Sequence, residues 1–421
     1  MSISTIDQAH IWHPLTQHKT SSTPIPIVRA KGAILYGEDG TTYIDGIASW
    51  YTAMYGHCHP YIIEQVTAQM KTLDQIVFTG FTHQPATTLA QKVLGILPDN
   101  QQKIFFNDNG STAVEAGIKM ALQYHHNKGD KRHTLIAFED GFHGDTFGAM
   151  SVSGLSVYNG PFEDYFLKVQ RIPTPTEDNL EEVLHVLQTI IDTHPCAGFI
   201  YEPLVQGAAG MQMHDAAGLE AILKLCKAND IITIADEVMT GFGKTGKHFA
   251  SLYLETYPDI ICLSKSLTAG LVPMSLTTCT QEIYDAFLDD TVSKGFFHAH
   301  TYSANPIACA AAIAGIDLLT SEEIQHQIKH IQERHTAFAK AIKTHPKAIN
   351  VRVKGVIFAL ELNTEMERYG SLRNQLFEHF MDRGVALRPL GNTIYILPPF
   401  VINDEQLDTI YTAIEEALNI F

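Results

Sequence analysis

IITIADEVMTGFGKTGKHFASLYLETYPDIICLSKSLTAG, residues 231–270, holds two short apolar runs, and each ends in a residue foreign to an apolar strand. The first run, Ile231 to Ala235, delivers Asp236; the second, Ile260 to Leu263, delivers Lys265, 29 positions further on. Short apolar runs of this kind read as strands buried on both faces of a parallel sheet. Ligands of open α/β sheets bind at the carboxyl ends of the strands. The spacing therefore predicts an acid and an amine on one rim. The bland alternative is a surface lysine and a helix-capping aspartate.

One chemistry uses that pair. A lysine amine can form a Schiff base with pyridoxal phosphate, and an aspartate can keep the pyridine nitrogen protonated, so that the ring draws in electrons.

Further apolar strands are predicted near residues 105, 137 and 199, alternating with helices over 60–73, 84–97, 180–191 and 216–229. Such alternation implies an α/β fold with a mostly parallel sheet. Polar or glycine residues follow each strand at once. After Ile104 to Phe106 comes Asn107 to Gly110, then a helix opening near Ser111 or Thr112, where Thr112 and Glu115 fit a capping box. Free N–H groups and hydroxyls there offer a phosphate seat; a plain helix cap is the other reading. Leu135 to Phe138 leads into a glycine-rich loop with Phe142, His143 and Asp145, and Ala197 to Tyr201 ends at Glu202. An aromatic at 142 could stack on a flat ring.

Outside this core, Ile34 to Tyr36 and Thr42 to Ile44 flank a turn and form a hairpin; a second hairpin is predicted around Gly391-Asn392. Helices are predicted over 306–319, 322–344 and 371–383. The expected division is residues 1–60 joining a small α+β domain, 61–305 as the large domain, and 306–421 as the rest of the small one. Trp50 and Tyr51 are neighbours, so on a strand they could not both face inward; one could line a pocket.

Bulk properties exclude other classes. The chain has 421 residues, 45% hydrophobic and 18% charged, with a net charge of −17. That charge disfavours nucleic acid and anionic membranes as partners. Six scattered cysteines without a CxxC argue against a disulfide framework or zinc, and His57-Cys58-His59 alone does not make a metal site. The N-terminus lacks a basic head and an apolar core, and no apolar run reaches membrane length, so a cytoplasmic protein is expected.

The blocks NDNGSTAVE, FHGDTFGAMSV, EPLVQGAAGM, IADEVMTGFGKTG, CLSKSLTAG and HTYSANP, in this order, resemble the class III, fold-type I, pyridoxal-phosphate aminotransferases. The resemblance spans nearly the whole chain. It implies Lys265 as the Schiff-base lysine and Asp236 as the pyridine-nitrogen partner. It implies Gly110 and Ser111 as a phosphate cup, Phe142 as the stacking ring, and Thr301 beside His300 as a phosphate contact donated by the other subunit of a homodimer. Trp50 and Tyr51 match a substrate wall, Ala299 a substrate-contacting backbone, and Arg388 the grip on a keto acid's carboxylate. Leu15 and Asp145 fall at further substrate positions. IWHP, SWYTAMYGHCHP, HGDTFGAMSV and LRPLGN are similar to the branch that aminates 8-amino-7-oxononanoate in biotin synthesis, usually with adenosylmethionine as donor. Four positions depart from that branch: Leu15 and Phe142 stand for tyrosines, Tyr51 for a tryptophan and Lys244 for an arginine. These leave the donor open between adenosylmethionine and lysine. The alternatives are another ω-amino acid aminotransferase of the class, of ornithine or 4-aminobutyrate type, and a cofactor-binding protein without turnover.

Overall fold

The computed structural model describes residues 2–156, 159–364 and 370–421. Sixteen strands occur among them: β1 (Ile27–Lys31), β2 (Ile34–Gly37), β3 (Thr42–Asp45), β4 (Gln101–Asn107), β5 (Thr134–Phe138), β6 (Val169–Ile172), β7 (Cys196–Tyr201), β8 (Val205–Gln206), β9 (Gln212–Met213), β10 (Ile232–Asp236), β11 (Ile260–Leu263), β12 (Ser275–Thr280), β13 (Ala348–Lys354), β14 (Ile357–Leu362), β15 (Val385–Ala386) and β16 (Thr393–Ile396). The central sheet has the order β4-β12-β11-β10-β7-β5-β6. Its pairs are parallel except for β12, which lies antiparallel to both β11 and β4. Two reversals cancel, so β4 runs with the parallel strands and ends on their rim.

Strands β5, β7, β10 and β11 are buried along their whole length. Alternation divides their side chains between two cores. Leu135, Ile200, Ile234 and Ile260 pack with Ala113, Val114 and Ile118 of the helix Gly110–Asn127. Phe138, Phe199, Ala235 and Ile261 face Leu187, Leu219 and Ile222 of the helices Leu180–Thr193 and Ala216–Ala228. Both faces being covered is why these segments read as unbroken apolar runs.

The five expected strands are present, and the helices lie within a few residues of their expected bounds. Two strands of the central sheet escaped the sequence. β12 reads SLTTCT, and its buried hydroxyls are satisfied within the fold: Thr277 donates to the Ala113 carbonyl at 2.8 Å and Thr278 to Gln101 at 2.7 Å. β6 is a four-residue edge strand inside a stretch that reads as a proline-rich loop. The short helix Phe147–Val152 and the C-terminal helix Asp404–Ile420 were not foreseen either.

Two further readings need correction. The hairpin over 34–44 forms, with Tyr36 opposite Thr42. The second hairpin does not. Leu390 and Thr393 close a tight turn through Gly391 at φ 63, but the flanking strands join different sheets. β15 pairs in parallel with β3, and β16 pairs with β14. The capping box at 112 is also shifted: Asn109 caps the helix and exchanges bonds with Thr112, each at 3.1 Å. Glu115 instead accepts from the Thr146 hydroxyl at 2.5 Å and from the Gly148 N–H at 2.8 Å. Among the described residues, no helix is long and apolar enough to cross a membrane.

The turn between β13 and β14 seats against the GFGKTG loop. Gly355 has φ +57, and a Cβ there would stand 2.3 Å from the Gly246 nitrogen and 2.4 Å from the Lys244 oxygen. Backbone cannot yield as a side-chain end can. Gly355→Ala is expected to lower unfolding free energy by about 2–4 kcal/mol, read as a shifted urea midpoint with unchanged slope.

Candidate active site

Register brings the rim together. Asp236 ends β10 opposite Cys262 of β11, and Lys265 follows three residues beyond it. Glu202 follows β7, and the Phe142 loop follows β5. Gly110 opens its helix against the same strands: a Cβ there would lie 3.0 Å from Val238 and 3.8 Å from Ser264. Glycine permits this close approach and leaves the helix N-terminus open.

Asp236 is held from two sides. Its Oδ1 accepts from the Val238 N–H at 3.1 Å, and its Oδ2 lies 2.7 Å from His143 Nδ1. Both side chains are buried, and His143 also donates its backbone N–H to Ser153 Oγ at 2.9 Å. His143 Nε2 has no partner among the described residues. The bond to the carboxylate puts the ring proton on Nδ1. The sequence pointed to His143 only as a loop residue; no spacing signal marks its contact with Asp236.

Lys265 sits at φ 45, in the left-handed region, and begins a single 3-10 turn. Burial of its amine pushes the pKa below the ordinary lysine value, against the opposing fields of Asp236 and Glu202. Its Nζ lies 5.3 Å from the Tyr51 ring centre. The next residue, Ser266, donates its hydroxyl to the Tyr51 carbonyl at 2.7 Å. Arg388 places its guanidinium 5.2 Å from the centre of the Trp50 ring. Lys265, Tyr51, Trp50 and Arg388 thus form one connected wall.

The wall itself is unusual backbone. Ala48, Ser49, Trp50 and Tyr51 have φ 46, 46, 65 and 71, a left-handed turn without glycine. Each such residue costs about 1–2 kcal/mol. The sequence allowed one of these aromatics to face inward and the other to line a pocket; the left-handed turn buries Tyr51 against Tyr395 and leaves Trp50 41% exposed.

The other expected residues fall as follows. Ser111 Oγ accepts from the Asp145 N–H at 3.1 Å, and Gly144 lies against Ser111 so tightly that a Cβ would stand 2.1 Å from its oxygen. Asp145 is exposed, and Phe142 is 37% exposed. Leu15 is exposed on the N-terminal segment at φ 51. Ala299, His300 and Thr301 line a cavity of about 660 Å³ with Val77, Phe78 and Phe106, whose walls include neither Lys265 nor Asp236. His300 pairs there with Asp108 at 3.1 Å. Within one chain, these three residues are not brought to the lysine's cavity wall. Lys244 is wholly buried, and its amine donates to the Gly241 carbonyl at 2.9 Å. Burial drives its pKa well down, and Lys265 adds to that. Among the described residues, Lys244 forms no ion pair and no cluster suits a metal ion.

A family model described as aminotransferase class-III matches residues 15–418. The chain is a class-III aminotransferase. As such it depends on pyridoxal phosphate. The aminotransferase is 40% identical to the adenosylmethionine-8-amino-7-oxononanoate aminotransferase of Synechococcus elongatus, covering 97% of this chain and 98% of that protein. Identity to the protein of that name in Geobacter sulfurreducens is 37%, covering 98% and 96%. The crystal structure of the Methanocaldococcus jannaschii protein of that name superposes with a TM-score of 0.92 at 33% identity, covering 98% of each chain. An amine transaminase from an uncultivated Pseudomonas species, solved in a form bound to pyridoxal phosphate, gives 0.90 at 27% identity, covering 97% and 98%. The fold is that of the fold-type I transaminases.

The residues present suit the cofactor on physical grounds. Gly110 clears an open helix N-terminus for an anion, buried Asp236 offers a carboxylate fixed by two donors, and the Lys265 amine reaches the same rim.

Glu202, 3% exposed, accepts from the N–H groups of Phe142 and Gly207, both at 3.0 Å. Burial pushes its carboxyl from 4.5 up to about 7, with Asp236 adding to the rise and His143 and the two N–H groups opposing it. A raised folded pKa means that the folded state holds the extra proton between these values, so stability falls as pH rises through them. In the apo-protein, the stability of wild type relative to Glu202→Gln should fall by roughly 2–3 kcal/mol between about pH 5 and about pH 8. Urea unfolding at a series of pH values measures it.

Proposed function

We propose that this aminotransferase converts 8-amino-7-oxononanoate to 7,8-diaminononanoate, a step of biotin synthesis, with adenosylmethionine as the amino donor. The observation that carries the reading is Arg388 on the aromatic wall that also faces Lys265. An acceptor with a carboxylate at one end and a keto group along an apolar chain needs such a wall. The shared name of relatives spanning the whole chain supports the choice among acceptors.

Each side chain has a part in this reading. When bound, the cofactor supplies an aldehyde that takes up an amine and a pyridinium ring that withdraws electrons from the adjacent carbon. Asp236, locked by His143 and the Val238 N–H, would pair with the ring nitrogen. Lys265 would hold the group, and its depressed pKa suits its amine to take a proton from the donor's carbon and return one to the acceptor's. Gly110 and Ser111 seat the phosphate at the helix N-terminus. Phe142 covers the ring, and Trp50 and Tyr51 shield the reacting carbon from water. Arg388 grips the acceptor's carboxylate in bidentate fashion.

A homodimer completes the site. Trp12 at 90%, Phe297 at 73% and Tyr302 at 60% are large apolar groups left open on one chain. Covering them with a second copy would put the 296–303 loop where its His300 and Thr301 reach the other subunit's phosphate. Ala299 and Leu15 then contact substrate from the same interface. Leu15 and Phe142 keep bulk but lack hydroxyls, which bears on the donor and not on the acceptor.

Lys265→Ala is expected to lose the cofactor's visible band and more than about 10⁴-fold in turnover. Holoenzyme mixed separately with adenosylmethionine, lysine, ornithine and 4-aminobutyrate should change spectrum with adenosylmethionine and revert on adding 8-amino-7-oxononanoate. Conversion by ornithine or 4-aminobutyrate without that reversion would end the biotin reading. Arg388→Ala should cost about 100-fold in kcat/KM for the keto acid and leave the adenosylmethionine half-reaction nearly unchanged.

A further inference from the structure

The left-handed turn that carries Trp50 and Tyr51 is held by a cluster that touches neither cofactor nor substrate in the scheme above. The carboxylate of Asp45, 1% exposed, accepts from the Ser49 hydroxyl at 2.9 Å, the Ile47 N–H at 3.3 Å and His57 Nε2 at 2.8 Å. Ser49 Oγ also lies 3.4 Å from that same ring nitrogen. His57 is pinned in turn: its N–H donates to the Gly32 carbonyl at 2.8 Å, and its carbonyl accepts from the Gly32 N–H at 3.0 Å. Gly32 lies in the tight link between β1 and β2.

These residue types suggest a hydrolytic triad, and the geometry excludes one. A triad needs the base to meet the acid through one ring nitrogen and the nucleophile through the other. Here a single nitrogen, Nε2, faces both Asp45 and Ser49. No proton can pass across the ring between them. The cluster is mechanical.

What it holds is specific. The backbone of Asp45 is in register with Ala386 of β15, two residues before Arg388, and the Gly46 N–H donates to the Ala386 carbonyl at 3.2 Å. The residues on either side of Asp45 fix the strand leading to the arginine, Ile44 N–H donating to the Gly384 carbonyl and Gly46 N–H to the Ala386 carbonyl, while the Asp45 N–H donates to the Ala33 carbonyl. The Asp45 side chain, between them, fixes the turn presenting the ring beneath that arginine. The left-handed turn is costly, and its own bonds, Tyr51 N–H to Ile47 carbonyl and Thr52 N–H to Ala48 carbonyl, are those any turn would make. The added bonds to Asp45 select this conformation over an ordinary right-handed one.

We propose that Asp45, Ser49 and His57 are positioning residues that set acceptor affinity by holding Trp50 against Arg388. The inference rests on Arg388 binding the acceptor's carboxylate. It assigns the three residues to recognition of that end of the acceptor, not to proton transfer and not to cofactor retention.

The chain's two tryptophans, Trp12 and Trp50, make a direct test available. In a Trp12→Phe background, Trp50 is the sole emitter, and its fluorescence reports a carboxylate reaching Arg388. Holoenzyme is titrated with heptanoate, and KM and kcat for the keto acid are measured alongside. Ser49→Ala and His57→Ala are each expected to weaken heptanoate binding and raise KM about five- to tenfold, with kcat and the cofactor's visible band unchanged. His57→Gln, which keeps an N–H at similar reach, should restore most of the affinity. Ser49 is exposed, so its variant folds even if the histidine variant does not. Wild-type heptanoate affinity in Ser49→Ala and His57→Ala, with binding lost in Arg388→Ala, overturns the positioning role and leaves the carboxylate grip standing. A loss of kcat or of the visible band at unchanged KM overturns it too, since that marks general support of the site. Equal heptanoate binding by wild type and Arg388→Ala, or none by wild type, removes the carboxylate grip itself and this inference with it.

Discussion

Parallel pairing of β10 with β11 is the constraint on which the site depends. It sets Asp236 opposite Cys262, so that a carboxylate and, three residues on, an amine emerge at one edge of the sheet. A slip of one residue would turn every side chain to the other face. That is prevented by burial on both sides: Ile234 and Ile260 belong to one core, Ala235 and Ile261 to the other. The Glu237 N–H donating to the Cys262 carbonyl at 3.0 Å closes the ladder just where the chain leaves it. The same covering of both faces that makes the strands legible as apolar runs thus fixes the chemistry's register.

Beyond that edge, the fold holds backbone and charge in states they would not adopt alone. Lys265 and the 48–51 turn are both left-handed, and the Ser266 hydroxyl bonded to the Tyr51 carbonyl ties one to the other. That bond holds the Tyr51 end of the turn beside the amine, while the Trp50 end lies at Arg388. Rigid positioning of reacting groups is worth several orders of magnitude in rate, and it repays the backbone strain.

The buried ionisable groups meet the low-dielectric interior in different ways. Asp236 accepts from a histidine N–H and a backbone N–H. Glu237, wholly buried, accepts from the Thr240 hydroxyl at 2.5 Å and the Ser251 N–H at 2.6 Å, yet burial still raises its pKa. Lys244, also wholly buried, has its pKa pushed well down by burial, and its amine donates to the Gly241 carbonyl.

The sequence alone determined the α/β class, the five apolar strands, the acid and amine ending two of them, and the family resemblance. These are local: apolar runs and the polar residues that follow them survive reading without neighbours. It missed β12, whose threonines look exposed until Ala113 and Gln101 meet their hydroxyls, and it joined β15 to β16 because their turn is real while β15 pairs with β3 near the other end of the chain and β16 with β14. It saw His143 as a loop residue, Glu202 as the residue ending a strand on the rim, and His57 as a neighbour of Cys58 that makes no metal site. Only tertiary structure decided that His143 locks Asp236, that burial reshapes Glu202, and that Asp45 grips Ser49 and His57. Each of those depends on distance across the fold and on exclusion of water, and neither quantity is written along a chain.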